Sequence, residues 1–205
     1  MSLGLRRFLL RLLRSVPSWV AAAVFASAAI AGVTNSTDHY QFTVEGTTAS
    51  SLVHYMNGHA ISGDQGHAYA RVRPNYDLSL TTRQSGGMCR PASVNVHVTF
   101  ELTLPVAASL GAMSRRTRAA WNGFAGFARN HEAHHLTSYL GCARSFVREA
   151  KRQSAPSCIE LDSDIQQMLR QMQRACESKQ VPFDRTQAKV LRGLSLFTMA
   201  RYQSR

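Results

Sequence analysis

Residues 121–146 read WNGFAGFARNHEAHHLTSYLGCARSF. Trp121, Phe124, Ala128, His131, His135, Ser138, Cys142 and Phe146 follow one another at steps of three and four, the repeat that gathers side chains on one face of an α-helix. The pattern extends outward to about residue 114 and about residue 151. A helix of that length must bury its stripe against another layer. Two histidines lie on the stripe that faces the core, and a buried imidazole needs a partner.

The spacing of His131 and His135 offers one. Residues four apart on a helix stand one above the other, so both rings can reach a single ion, and Zn2+ is the metal that suits them. Glu132 is rotated by about 100° from His131, which turns its carboxylate toward a water beside the metal rather than toward the metal. H-E-x-x-H on a helix is the arrangement of a metallopeptidase, with His131 and His135 as metal ligands and Glu132 as catalytic general base. The chain has eight histidines, so the competing reading is two imidazoles hydrogen-bonded inside a core, with Glu132 solvated at its edge. His134 cannot share the face of the pair and reads as a supporting or surface residue.

The layer that covers this helix lies upstream. Val94, Val96, Val98 and Phe100 alternate with Asn95, His97, Thr99 and Glu101, a strand with one apolar face that Pro105 is expected to stop. YQFTVEG at 40–46 alternates Tyr40, Phe42 and Val44 in the same way and ends at Gly46. Thr47 or Thr48 then caps a short helix through Met56, with Leu52, Val53 and Met56 inward. After the loop NGHAISGDQG, strands are expected over about 67–73 and 76–82, separated at Pro74-Asn75. Gly86-Gly87 turns the chain into the Val94 strand.

Downstream, Ser154, Pro156 and Ser157 end the motif helix. Ser157 and Glu160 form a capping box for a second helix to about residue 179, with Ile165, Met168, Leu169, Met172 and Cys176 inward. Residues 183–205 read as a basic C-terminal tail, either a final helix on the core or a surface segment. The fold class is therefore α+β: a small antiparallel sheet of three or four strands packed against a long motif-bearing helix and a second antiparallel helix.

At the N-terminus, Arg6, Arg7, Arg11 and Arg14 precede WVAAAVFASAAIAG at 19–32, too short a run for a mature membrane span. With Ala26-Ser27-Ala28 and Ala29-Ile30-Ala31 as cleavage sites, residues 1–31 read as a signal peptide, or as an N-terminal anchor if uncleaved. Residues 32–205 then form a single domain that is periplasmic or secreted. The chain carries 24 Lys and Arg against 12 Asp and Glu, a net charge of +12. Loss of the leader's four arginines leaves about +8, which suits an anionic envelope surface, an acidic substrate or a nucleic acid, with a solvated basic surface as the commoner reading. No long basic run and no aromatic–basic interleaving marks a phosphate track, so no specific nucleic acid is expected.

Export makes disulfides the natural state of Cys89, Cys142, Cys158 and Cys176, which allow three pairings. The preferred one joins Cys89 to Cys158, tying the sheet to the segment between the helices, and Cys142 to Cys176, stapling the two helices together. No C-x-x-C pair is present for a tetrathiolate zinc site.

Taken together, the opening strand and short helix, GGMC at 86–89 leading into VNVHVTFELTLP at 94–105, Trp121, HEAHH at 131–135 and PSC at 156–158 resemble the domain-of-unknown-function family nine hundred and twenty-two. That family is described as predicted secreted zinc-dependent proteases, and the resemblance runs over about residues 40–184. It implies an α+β fold and zinc-dependent peptide hydrolysis. The chain departs from the family pattern after FDR at 183–185, where Lys189-Val190 stands in place of a His-Gly pair that would supply a third ligand.

The third position is open to Asp184, which the resemblance places best, or to Glu160, Asp162 or Asp164. The upstream residues His97, His67 and His59 are also candidates, while Glu149 lies too far along the motif helix. Two functions follow. One is a secreted or periplasmic zinc-dependent peptidase acting on a peptide or protein substrate through a metal-activated water. The alternative is a degenerate, non-catalytic envelope protein that retains the motif helix.

Overall fold

The alternation at Val94–Phe100 builds the central strand of the molecule. A computed structural model describes residues 32–63 and 66–203; the leader expected over 1–31 lies outside the described residues. Strand β1 (Val33–Val44) leads to helix α1 (Ala49–Gly58), the short strands β2 (Ile61–Gly63) and β3 (Gly66–Ala68), and the long strands β4 (Arg71–Ser85) and β5 (Met88–Ala107). Helices α2 (Arg115–Ala150), α3 (Cys158–Gly193) and α4 (Ser195–Gln203) follow. The main sheet has the order β1-β5-β4, and β2 and β3 form a separate hairpin.

The α+β class and the packing of the sheet on two long helices are as the sequence implies. Val94, Val96, Val98 and Phe100 are buried under Tyr139, Ala143 and Phe146 of α2 and under Leu161, Ile165 and Leu169 of α3. A second core, centred on Leu52, Met56, Trp121, Phe124 and Phe197, joins α1, α4 and the first half of α2. Two capping signals act as read, with Thr48 capping α1 and Ser157 with Glu160 closing a capping box on α3, and Ser114 caps α2 besides. Both disulfides are the preferred ones, Cys89–Cys158 and Cys142–Cys176. The linker between α2 and α3 is further held to β5 by paired backbone hydrogen bonds between Cys89 and Ala155.

Several boundaries differ from expectation, each for a physical reason. β1 begins at Val33 and pairs with β5 in parallel, while β4 pairs with β5 antiparallel, so the outer strand arrives through a crossover. Tyr40 is exposed because β1 is an edge strand whose middle is not covered by the helices. Pro74 does not divide a strand: β4 is also an edge, where a missing N–H costs no ladder bond, and its irregularity falls at Thr81/Thr82 instead. Pro105 does not stop β5, because β4 pairs with β5 only as far as Thr103 and leaves that side of the strand open. Gly86 and Gly87, both at positive φ, make the tight turn between β4 and β5.

The largest correction concerns the second helix. It does not end near residue 179 but runs through Pro182 to Gly193. The proline removes the donor to the Ser178 carbonyl, yet both residues are exposed, so water can take the donor's place. The expected basic tail is accordingly the last part of α3 plus α4, which buries Leu196, Phe197 and Ala200. Among the described residues, no helix is long and apolar enough to cross a membrane.

Candidate metal centre

Helix α2 carries His131 and His135 on the face toward α3, as their spacing demands. Because α3 continues past Pro182, it brings Asp184 opposite them. The three side chains converge: Asp184 Oδ1 lies 2.9 Å from His135 Nε2 and 3.3 Å from His131 Nε2, and the two Nε2 atoms are 2.9 Å apart. A tetrahedral ion with bonds of about 2.0 Å has ligand atoms about 3.3 Å from one another, so the triangle has the dimensions of a metal site. The Asp184 oxygen is closed off from solvent and has no hydrogen bond of its own, although two ring nitrogens lie against it. A cation at the centre of the triangle would satisfy that oxygen, and the three residues form a group able to hold a metal ion.

The surroundings fix how the ligands present themselves. His135 is buried, and its Nδ1 lies 3.0 Å from Gln180 Oε1. The Gln180 amide nitrogen donates to Ser138 Oγ and to the Cys176 carbonyl, which leaves Oε1 facing the ring as an acceptor. Nδ1 of His135 therefore carries the proton, and Nε2 offers its lone pair to the centre. Phe183 stacks on His131 at 5.0 Å between ring centroids and on His134 at 3.8 Å, and it meets His135 edge-on. Phe127 stacks on the other rim of His131. The exposed His134 thus supports the site through Phe183 and does not join the triangle.

Glu132 is only 4% exposed, which removes the reading in which it is solvated at the edge of a core. Burial pushes its carboxyl above the usual range, opposed by His131 and His135 and by a hydrogen bond from the Val72 backbone of β4. For Asp184, burial also pushes upward, but the two imidazoles outweigh it and bring the carboxyl down to about 2. His135 is pushed down by burial and raised more strongly by Asp184 and Gln180, so its net shift is upward. All four groups line one cleft of about 590 Å³ between the β2–β3 hairpin, the start of β4, α2 and α3.

The other candidates lie elsewhere. His97 bonds to Thr34 and Ser36 across β1 and β5, and His59 packs on Tyr55. His67 reaches the cleft wall without joining the triangle. Glu160 is used in the helix cap, while Asp162 and Asp164 are exposed on the first turns of α3. Gln180 and Phe183 were not anticipated. Their signal is the spacing of 180, 183 and 184 on one helix face, which is visible only if the helix is allowed to pass Pro182.

A family model described as "Bacterial protein of unknown function (DUF922)" matches residues 39–190. No curated protein and no solved structure matches the chain. The two disulfides, with no free cysteine among the described residues, fit an oxidising compartment.

Proposed function

The chain belongs to the DUF922 family, and from that premise and the geometry of its site we propose that it is an exported zinc-dependent peptidase. The observation that carries this reading is the convergence of His131, His135 and Asp184 beside a buried Glu132 in one cleft. Two imidazoles and one carboxylate leave a tetrahedral position open, as in catalytic rather than closed structural zinc sites. Zinc bound there supplies a Lewis acid for a carbonyl oxygen and an acidified water.

The chain's own residues do the rest. Gln180 holds the His135 tautomer, and the Val72 backbone together with the walls of the cleft hold Glu132 in place. Glu132, with a carboxyl raised by burial, is suited to take a proton from the attacking water and pass it to the leaving amine. The alternative of a degenerate envelope protein drew its support from the missing downstream histidine; the group of His131, His135 and Asp184, able to hold a metal ion, supports the enzyme reading instead.

Glu132→Gln is the test. It should keep the metal and lose peptidase turnover by at least about 100-fold. Equal turnover in wild type and variant, on a peptide library cleaved by the wild type, would remove Glu132 from the mechanism.

A further inference from the structure

Among the described residues, the cleft carries two acidic groups, and both are engaged. Asp184 faces the imidazoles, and Glu132 is held by Val72. The other formal charges that the described residues place on its walls are cationic: Arg71 on β4, and Arg185 and Arg192 on α3. None of the three lies within ion-pairing distance of a carboxylate among the described residues. Arg71 donates one bond of 2.7 Å to the Ser62 carbonyl of β2, while its Nε is closed off from solvent and has no partner. That Nε is out of reach of a molecule in the cleft, so what Arg71 brings to this wall is its positive charge.

We propose, resting on the peptidase reading, that these arginines select peptide substrates by carboxylate groups close to the scissile bond. Arg185 lines the same cleft wall as Asp184, and it is assigned the carboxylate nearer the reacting carbonyl because Arg192 stands further along α3. Arg192 is seven residues further along the α3 wall, about 10 Å away, which is the reach of about three residues of extended peptide. Arg71 stands on the opposite wall and adds its positive charge to the cleft. The carboxylate can belong to an Asp or Glu side chain or to a free C-terminus.

Binding measurements keep this claim separate from turnover. Fluorescent peptides with Glu flanking a central apolar pair are compared by anisotropy with Gln counterparts, each with a free and an amidated C-terminus, on the zinc-loaded protein. Tighter binding of the Glu peptides regardless of amidation assigns the preference to side chains; loss on amidation assigns it to the C-terminus. Either supports the proposal if Arg185→Gln and Arg192→Gln each lower the preference by about two- to fivefold while Arg170→Gln, about 20 Å back along α3, leaves it intact. Equal affinity for acidic and neutral peptides overturns the proposal, as does a preference that Arg170→Gln reduces equally, which would be an effect of net charge alone. A carboxylate preference in a protein that cleaves nothing would reject the peptidase reading and leave the selectivity of the cleft standing.

Discussion

Gln180 shows how one uncharged side chain controls a charged site. Its Oε1 accepts from His135 Nδ1, so replacing it with Leu leaves that N–H buried without an acceptor and frees the ring to turn. Gln180→Leu is expected to weaken zinc binding by about 10- to 100-fold, measured by competition with a chelating dye; unchanged affinity would show that Phe183 and Asp184 orient the ring alone. Protons compete for the same atoms. In metal-free protein the Asp184 carboxyl is depressed to about 2 from 3.8, so its stabilisation is present above about pH 4 and is lost as pH falls through about 2. His135 is shifted upward, so its stabilisation is present below about pH 6.5 and is lost as pH rises through the folded value. Denaturation of chelated protein should therefore show greatest stability between those limits, toward their acid end because the raised Glu132 carboxyl costs stability as pH rises. Zinc-loaded protein should instead gain stability across the upper limit, because its ligands bind metal only after shedding their protons. Identical pH profiles for the two forms would contradict the assignment.

At the level of elements, the legible features were those set by local chemistry. The stripe through Trp121 and Phe146 fixed the long helix, the Val94–Phe100 alternation fixed the central strand, and Ser157 with Glu160 fixed the start of α3. Pro74 and Pro105 misled for one shared reason: a proline facing an open side of a strand forfeits no ladder bond, and whether that side is open depends on neighbours that sequence does not display. The α2–α3 pair is held by Cys142–Cys176, which closes a loop of 34 residues. Chain-entropy reasoning gives about 3–4 kcal/mol for such a loop. The double variant Cys142→Ala/Cys176→Ala should lose stability of that order in denaturant titrations. It should also bind zinc more weakly, since Cys176 lies one turn from Gln180 and its carbonyl accepts from that side chain. Lost stability with unchanged zinc affinity would mean that the helices are registered by their apolar contacts alone.

Across the whole molecule, two members of the group able to hold a metal come from one helix and the third from another, 49 residues after His135 in sequence. This explains why one part of the candidate site was legible and another was not. His131, Glu132 and His135 announce themselves by spacing on a single element, whereas Asp184 is brought in by the pairing of α2 with α3 and by the passage of α3 through Pro182. The resemblance favoured Asp184 among several carboxylates and histidines, and packing singles it out as the residue whose oxygen meets both imidazoles. A metal bound across the two helices also couples to folding, since it binds the native pairing and not the unfolded chain. The most direct test is the metal content of the purified protein, by elemental analysis after zinc loading and desalting, beside Asp184→Ala. The account predicts close to one zinc per chain in the wild type and its loss in the variant. No retained zinc in the wild type, or equal retention without the Asp184 carboxylate, would contradict it.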